Sequence, residues 1–247
     1  MRLDLACIKR GLVDSRNKAC EMIQKGLVKC NGEVCLKAAY EVSDEDKITL
    51  EGKIFISRAG EKLWCFLEEY FCDFYDKSVL DIGSSTGGFT QVLLERGAKE
   101  VYCVDVGRGQ LHNTLRENPK VFCFEGMDIR DFPLEFEKIT ARKNTRFDWV
   151  LCDVSFIPLE KVLPTISLLA YDKILLLFKP QYEVGKEAKR NKKGVVLQKD
   201  KINAALSSFL ERLKAYHFEI QNLKTSKIKG KEGNVEFFIA CQKTRNS

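Results

Sequence analysis

Long apolar runs, a signal segment and metal-binding spacings are all missing from this 247-residue sequence. Its uninterrupted apolar runs reach five residues at most, against about 18 needed to cross a bilayer. The first residues, Met1 to Asp4, do not begin the apolar core of a secretory signal. We therefore expect a cytoplasmic protein that makes no contact with a membrane.

Histidine is also scarce, with two residues in the chain, and none of the ten cysteines forms a C-x-x-C pair. A zinc site needs about four such ligands at suitable spacing, so we predict no bound metal. Cys103, Cys123 and Cys152 lie inside apolar stretches, where cysteine behaves as a small buried hydrophobic residue. We interpret the cysteines as reduced thiols, as is usual in the cytosol.

The charge is modestly basic, since 41 Lys and Arg against 35 Asp and Glu give a net charge of +6. The 45% hydrophobic fraction is that of a globular protein rather than a disordered one. The first forty residues hold eight basic and four acidic side chains, an excess that suits a phosphate backbone, although a solvated helix face could carry the same charges. The candidate RNA-binding residues, including two from a second basic stretch at 186–201, are Arg2, Lys9, Arg10, Arg16, Lys18, Lys25, Lys29, Arg58, Lys189 and Arg190.

Residues 1–52 are predicted to form a small α+β domain. A first helix would bury one apolar face, made of Leu3, Leu5, Ile8 and Leu12. Ser15 is a favourable N-cap for a second helix. The dipeptide Asn31-Gly32 between two apolar runs predicts a type I′ hairpin, and a strand at 48–50 would close the sheet. Residues 53–61 are expected to be a linker, and 62–247 the second domain.

Short apolar strands alternate with helical patterns from Ser78 onward. Such alternation predicts a parallel sheet wrapped by helices. The predicted strands are 79–82, 101–104, 121–124, 149–152 and 174–178, and the predicted helices are 88–96, 109–117, 158–169 and 200–215. Two final strands, 219–223 and 234–241, have no helix between them and are expected to form an antiparallel hairpin at the sheet edge.

A small-residue loop follows the first of these strands, in the segment Val79-Leu-Asp-Ile-Gly-Ser-Ser-Thr-Gly-Gly-Phe89. Glycines let a backbone approach a ligand closely, and N–H groups at a helix start favour polar groups. The loop is neither G-x-G-x-x-G nor a Walker loop, and its D-x-G-x-x-x-G spacing resembles that of S-adenosylmethionine-dependent methyltransferases. Acids end the following strands, where open α/β sheets bind ligands. The candidate cofactor-binding residues are Asp81, Gly83, Ser84, Ser85, Thr86, Gly87, Gly88, Asp105, Val106, Asp128, Ile129 and Asp153.

Charged residues occur close to the ends of the same predicted strands. Lys179 ends one strand and Asp153 ends its neighbour, while Glu236 lies near the start of the last strand and Lys62 precedes the first. A single lysine is usually a solvated surface group. Two lysines and two acids at the ligand-binding edge of a sheet point to chemistry instead.

Together these segments resemble the TlyA family, RNA 2′-O-methyltransferases whose catalytic domain is similar to the FtsJ type. The segments that carry the resemblance are 57–62, 81–90, 104–111, 153–157 and 179–183. The first 52 residues look like the alpha-L RNA-binding module named after a small-subunit ribosomal protein. The resemblance implies a Rossmann-like α/β domain with a mostly parallel seven-stranded sheet, and S-adenosyl-L-methionine as the cofactor.

The same resemblance implies a catalytic tetrad at Lys62, Asp153, Lys179 and Glu236, with cytidine 2′-hydroxyls of ribosomal RNA as the substrate. In our hypothesis Lys179 removes the hydroxyl proton or stabilises the alkoxide, and Lys62 lowers the pKa of Lys179. Asp153 would orient Lys179, and Glu236 would hold a lysine in place. The sequence does not decide between the base and the electrostatic role, and it indicates no obligate protein partner.

Three other functions are open at this point. A non-enzymatic RNA-binding assembly factor would not need the glycine loop and all four charged residues. A haemolysin, suggested by an old label of the family, is disfavoured by the short apolar runs. A methyltransferase acting on a base or on tRNA is disfavoured by the two lysines, because a ribose hydroxyl needs more help to lose its proton.

Overall fold

The computed structural model describes residues 1–141 and 145–244. The chain divides into two compact units, Met1–Ile54 and Phe55–Ser247. Each unit has hydrophobic core clusters of its own. A mostly parallel α/β fold with a small N-terminal α+β unit was the fold class expected from the sequence, and it is confirmed.

The first unit consists of two helices and a three-stranded antiparallel sheet of order β2-β1-β3. Its elements are α1 (Leu3–Lys9), α2 (Arg16–Gln24), β1 (Val28–Cys30), β2 (Glu33–Val34) and β3 (Ile48–Leu50). Ser15 caps α2 by accepting a hydrogen bond from the backbone N–H of Lys18. Asn31 and Gly32 have φ values of 53° and 88°, which confirms the expected turn between β1 and β2.

One expectation for α1 is wrong. Leu5 was placed on the buried face, yet it is 43% exposed, whereas Leu3, Ala6 and Cys7 are buried. Leu3 and Leu5 are two residues apart, so they point to nearly opposite sides of a helix with 3.6 residues per turn. Leu12 lies beyond the end of α1 and packs against the core from the following turn.

The second unit is a seven-stranded sheet of order β6-β5-β4-β7-β8-β10-β9, parallel except for β10, which runs antiparallel to both of its neighbours. Its strands are β4 (Ser78–Ile82), β5 (Glu100–Asp105), β6 (Val121–Glu125), β7 (Phe147–Cys152), β8 (Ala170–Phe178), β9 (Phe218–Thr225) and β10 (Phe237–Lys243). Its helices are α3 (Arg58–Leu67), α4 (Gly88–Glu95), α5 (Asn113–Arg116), α6 (Phe132–Thr140), α7 (Leu159–Leu169), α8 (Pro180–Glu183) and α9 (Lys199–Ala215). The predicted antiparallel hairpin is present, with β10 inserted between β8 and β9.

Local contacts explain where the elements differ from expectation. The predicted helix 109–117 is reduced to α5, because the backbone N–H groups of Gly109, Gln110 and Leu111 donate to the Glu125 carboxylate instead of to a helix. Residues 58–61 were expected in the linker but form the first turn of α3. The last strand begins three residues later than expected, so Glu236 immediately precedes it.

The sheet topology fixes where a site can form. Strand order runs outward from β4 to β5 and β6 on one side, and from β7 to β8 on the other. The loops after β4 and β7 therefore leave the sheet side by side at a switch point, where open α/β sheets bind ligands. The Asp153 N–H donates to the Ile82 carbonyl at 2.9 Å, which joins the two loops at their base.

Candidate active site

A cavity of about 440 Å³ opens at the carboxyl ends of β4, β5, β6 and β7. Both apolar and polar groups line it, with Met127, Ile157 and Val162 among the apolar ones. The structure brings seven of the predicted cofactor-binding residues together on its wall, namely Gly83, Ser85, Asp105, Val106, Asp128, Ile129 and Asp153.

The glycine loop after β4 forms one side of this cavity. Gly83 has a φ of 79°, and a Cβ atom there would lie 2.7 Å from the carbonyl oxygen of Asp153. Both the backbone conformation and the close approach of β7 therefore require glycine. Ser85 also has a positive φ, of 47°, and its N–H donates to the Asp105 carboxylate at 2.8 Å. The loop is thereby folded around the acid that ends β5.

Carboxylates at the ends of β5 and β6 are held in fixed positions. Asp105 accepts a second backbone hydrogen bond from the Gly107 N–H at 2.7 Å. Asp128 accepts from Arg130 Nε at 2.9 Å and from Nη2 at 2.6 Å, which lowers its pKa. Asp128 is thus held ionised at neutral pH, and both acids are set at the cavity wall by short local contacts.

Five predicted cofactor-binding residues do not line the cavity, namely Asp81, Ser84, Thr86, Gly87 and Gly88. Asp81 is fully buried in β4, where its Oδ2 accepts from the Thr90 hydroxyl at 2.6 Å and its Oδ1 has no hydrogen-bond partner. Burial raises the pKa of Asp81 to about 7. Gly88 lets α3 and α4 pack closely, since a Cβ there would lie 2.1 Å from Ser57 Oγ. These five residues therefore belong to the structure behind the cavity wall and not to the wall itself.

The four predicted catalytic residues form two ion pairs beside the cavity. Lys62 Nζ lies 2.6 Å from Glu236 Oε2, and Lys179 Nζ lies 2.6 Å from Asp153 Oδ1. The residues come from α3, the end of β7, the end of β8 and the start of β10. Both lysines are 8% exposed and Glu236 is 2% exposed. The fold thus gathers into one place four charges that are up to 174 residues apart in sequence.

The charges of this set act on one another. Burial raises the pKa of Asp153, although the nearby Lys179 and Lys62 pull it downward. Burial alone would lower the pKa of Lys179, but Asp153 and Glu236 attract its proton more strongly, so the net shift is upward. The expected net lowering of the Lys179 pKa is therefore absent from this arrangement, and Lys62 is not among the main causes of the shift. The carboxylate in direct contact with Lys179 dominates its electrostatic surroundings.

Two further side chains at the site were not singled out from the sequence. Lys179 Nζ also donates to Ser155 Oγ at 2.9 Å. Glu183 Oε1 accepts from the Leu159 N–H at 2.9 Å. Ser155 lies in the segment 153–157 and Glu183 in 179–183, both of which carried the family resemblance, so their motif membership was the available signal. Phe156, which directly follows Ser155, is 88% exposed and has a φ of 67°.

The predicted RNA-binding residues of the first unit all make contacts within that unit. Arg2 and Arg16 both pair at 2.9 Å with Asp4, whose side chain is fully buried. Arg10 donates to the carbonyls of Ser43, Asp44 and Asp46. The four lysines pair with acids, as Lys9–Asp44, Lys18–Glu21, Lys25–Glu21 and Lys29–Glu51.

The remaining three lie in the second unit. Arg58 donates to the Lys229 carbonyl at 2.6 Å. The Arg190 guanidinium donates to backbone carbonyls between Gln181 and Ala188. It therefore stabilises its own loop and does not extend into solvent. Lys189 beside it has an exposed side chain. Of the two basic residues chosen in this loop, Lys189 is the better placed for RNA.

Comparison with known proteins identifies the family. A sequence model described as FtsJ-like methyltransferase matches residues 55–243, and one described as the S4 domain matches residues 1–48. The chain belongs to the FtsJ-like methyltransferase family. Its second unit is the methyltransferase domain of that family, and its first unit is an S4 domain.

Several relatives align with this chain over most of their length. The 23S rRNA (cytidine-2′-O)-methyltransferase TlyA of Campylobacter jejuni is 42% identical, over 96% of this chain and 98% of the relative. The 16S/23S rRNA (cytidine-2′-O)-methyltransferase TlyA of Mycobacterium tuberculosis is 36% identical, over 96% and 88%. A solved Streptococcus thermophilus structure with a provisional hemolysin name matches with a TM-score of 0.72 and 34% identity, over 100% and 89%.

Within 1–141 and 145–244, no helix has the length and apolar character needed to cross a membrane. The same residues contain no group of three or more His, Cys, Asp or Glu side chains that could hold a metal ion. All ten cysteines are free thiols, and six of them are buried.

Proposed function

We propose that this methyltransferase transfers a methyl group from S-adenosyl-L-methionine to the 2′-oxygen of cytidine in ribosomal RNA, in the cytoplasm. The observation that carries the proposal is the pair of buried lysines, each 2.6 Å from its own carboxylate, one of which, Asp153, lines the cavity. Two cations held this way can bind and orient a ribose oxygen. A methyltransferase acting on a ring nitrogen has less need of them.

The cavity fits this cofactor in its donor set and its shape. Asp105, Asp128 and Ile129 line the cavity; Asp105 would hold the cofactor's ribose hydroxyls, and Asp128 and Ile129 would hold its adenine. Gly83 lets the glycine loop approach the backbone of Asp153 closely, which no residue with a Cβ atom would allow. When bound, the cofactor supplies a methyl group already activated by a sulfonium charge. The protein's task is then to aim the oxygen and remove its proton.

Lys179 is the residue placed to manage that proton. Its raised pKa keeps it an ammonium in the free enzyme, a form that can stabilise negative charge on the 2′-oxygen. If a second cation shared the Asp153 carboxylate, Lys179 would lose part of that attraction and its pKa would fall, as a general base requires. Lys62, held by Glu236, would bind the same oxygen. Lys179 would then release its proton to solvent, take the proton of the 2′-hydroxyl as a base and, as the ammonium so formed, stabilise negative charge on the oxygen.

The S4 domain supports ribosomal RNA as the substrate. It contains seven of the ten basic candidates, and Arg2, Arg16 and Lys9 keep between 41% and 57% of their side chains exposed. Lys9, whose ion pair with Asp44 is exposed on both sides, can exchange that acid for a phosphate at small cost, because surface ion pairs contribute only about 0–1 kcal/mol. We expect this unit to grip RNA backbone while the methyltransferase domain acts on one ribose.

Methyl transfer to ribosomal RNA tests the proposal directly. The full chain is incubated with tritiated S-adenosylmethionine and unmodified ribosomal RNA, and the labelled nucleotide is identified as 2′-O-methylcytidine. Lys179→Ala should lower turnover by about 10²–10⁴-fold, a larger effect than any on cofactor affinity. Lys161→Ala, at an exposed lysine of α7, is the matched control. No label from the wild type would favour an RNA-binding assembly factor, and near-normal turnover of Lys179→Ala would remove Lys179 from the chemistry.

A further inference from the structure

One short turn holds the loop that forms the cavity wall after β7. This turn consists of Lys179 and the helix α8, and the loop runs from Asp153 to Pro158. Lys179 contacts Asp153 at 2.6 Å and Ser155 at 2.9 Å. Glu183, at the end of the same turn, accepts from the N–H of Leu159 at 2.9 Å, where α7 begins. The loop is therefore fixed near its start, near its middle and at its end by residues four positions apart.

We propose that Glu183 is a positioning residue, which holds the Asp153–Pro158 loop in the shape that the cofactor cavity and Lys179 require. The contact with Leu159 is independent of any activity. What the loop does for the cofactor and the substrate rests on the proposed function. Five consecutive residues of this loop, 153–157, line the cavity, so a shift of its end would move much of one wall.

The start of α7 needs an acceptor from elsewhere. Pro158 is the N-cap, and it provides no side-chain hydrogen bond to the first turn. A serine, threonine or aspartate at an N-cap would usually supply that acceptor. Here Glu183 supplies that acceptor from another element, so its hydrogen bond with Leu159 also ties α7 to the turn that contains Lys179. A local cap would stabilise α7 without making that tie.

The surroundings of Glu183 do not favour it for stability alone. Burial raises its pKa to about 7, with a contribution from the nearby Glu160. Glu183 is half-buried, and a partly desolvated carboxylate with one backbone donor is an unfavourable choice unless its position matters. In addition, Phe156 in the loop has a φ of 67°, a conformation that costs a residue with a side chain about 1–2 kcal/mol. A loop strained in this way is expected to relax when one of its ends is released.

The test compares three variants of the full chain. Glu183→Ala removes the acceptor, Glu183→Gln keeps an acceptor oxygen, and Glu160→Ala removes a neighbouring carboxylate that pairs with Arg212 at the surface. Hydrogen–deuterium exchange of a peptide covering 154–159 reports the loop, and titration with S-adenosylmethionine reports the cavity. We expect Glu183→Ala to speed exchange and to weaken cofactor affinity, each by about tenfold. Glu183→Gln should restore both to within about threefold, and Glu160→Ala should match the wild type.

The results separate this inference from the proposed function. Faster exchange in Glu183→Ala supports the role of the Glu183–Leu159 hydrogen bond, whether or not the wild type binds S-adenosylmethionine. A wild type that does not bind S-adenosylmethionine would refute the proposed function alone. Unchanged exchange in Glu183→Ala, or a glutamine variant as impaired as the alanine variant, would overturn the inference. So would a lowered melting temperature with normal loop exchange and cofactor affinity. If Glu183→Ala does not fold, Glu183→Asp, whose shorter side chain draws the acceptor away from Leu159, takes its place with the same expectations.

Discussion

Buried carboxylates in this protein differ according to what surrounds each one. Asp4 lies between Arg2 and Arg16, and these partners hold its pKa well below its usual range. Asp81 is equally buried, but its hydrogen bonds come from the hydroxyl and the backbone N–H of neutral Thr90, so burial raises its pKa to about 7. Ionised Asp4 therefore stabilises the folded chain at neutral pH, whereas ionised Asp81 destabilises it. A destabilising residue under the glycine loop is typical of a position kept for function rather than stability.

Replacing Asp81 with asparagine should stabilise the protein in alkaline solution. The folded-state pKa of Asp81 lies above its unfolded value near 4, so its cost to stability is absent below about pH 4, grows as pH rises and is complete above about pH 7. The difference in unfolding free energy between Asp81→Asn and wild type should therefore increase over this window, towards an upper limit on the order of 4 kcal/mol. Urea unfolding of both proteins at pH 5, 6, 7 and 8 measures it. A difference that is constant with pH would contradict the prediction.

At the scale of single residues, the sequence identified the charged side chains but not their contacts. Lys62, Asp153, Lys179 and Glu236 could be named because they end or precede predicted strands and match family motifs. Ser155 and Glu183 could not, because their roles depend on β7 and β8 being neighbours. The direction of the Lys179 pKa shift was also out of reach, since it depends on which of three nearby charges is closest.

At the scale of helices, strands and turns, the sequence predicts an element correctly where the signal comes from neighbouring residues. The Asn31-Gly32 turn, the Ser15 cap and the alternation of strands and helices follow from propensity and periodicity, and all are present. Segments whose backbone groups find partners elsewhere were not predictable. Residues 109–111 are the clearest example, because the carboxylate of Glu125 takes the N–H groups that a helix would use. Helix α6 was missed altogether, although its aromatic residues fill the core.

The glycine loop is the element on which the cofactor cavity depends most. We expect Gly83→Ala to weaken S-adenosylmethionine binding at least tenfold, because its new Cβ would lie 2.7 Å from the Asp153 carbonyl and force β4 and β7 apart. Gly194→Ala is a matched control, since Gly194 has the same φ of 79° but open space around its Cβ position. Both variants place an alanine at a positive φ, but only Gly83→Ala adds a steric clash with the Asp153 carbonyl.

Calorimetric titration of the two glycine variants distinguishes these effects. If Gly83→Ala and Gly194→Ala bind the cofactor equally well, the close approach of the two loops is not what shapes the cavity. Thermal unfolding of both variants shows how much of any loss comes from general destabilisation, which the shared φ should make similar.

At the scale of the whole molecule, the location of the charge in each unit is more informative than the net charge. The net charge of +6 is small for a protein that handles nucleic acid, because acids pair with most basic residues of the S4 domain and others line the cavity. What matters for RNA is the exposed basic charge in the first unit and in the loop around Lys189. Each unit also has its own buried core, so the two tasks can be separated by deletion.

Removing residues 1–54 should separate RNA binding from cofactor binding. The remaining chain keeps the whole seven-stranded sheet, its three core clusters and every residue of the cavity wall, so its affinity for S-adenosylmethionine should stay within about twofold of the full chain. Its affinity for ribosomal RNA should fall by roughly 100-fold, because two linked binding surfaces become one, and the salt dependence of binding should become shallower as phosphate contacts are lost. Filter binding at several salt concentrations measures both quantities. Equal RNA affinity with and without the S4 domain would place RNA recognition in the methyltransferase domain alone.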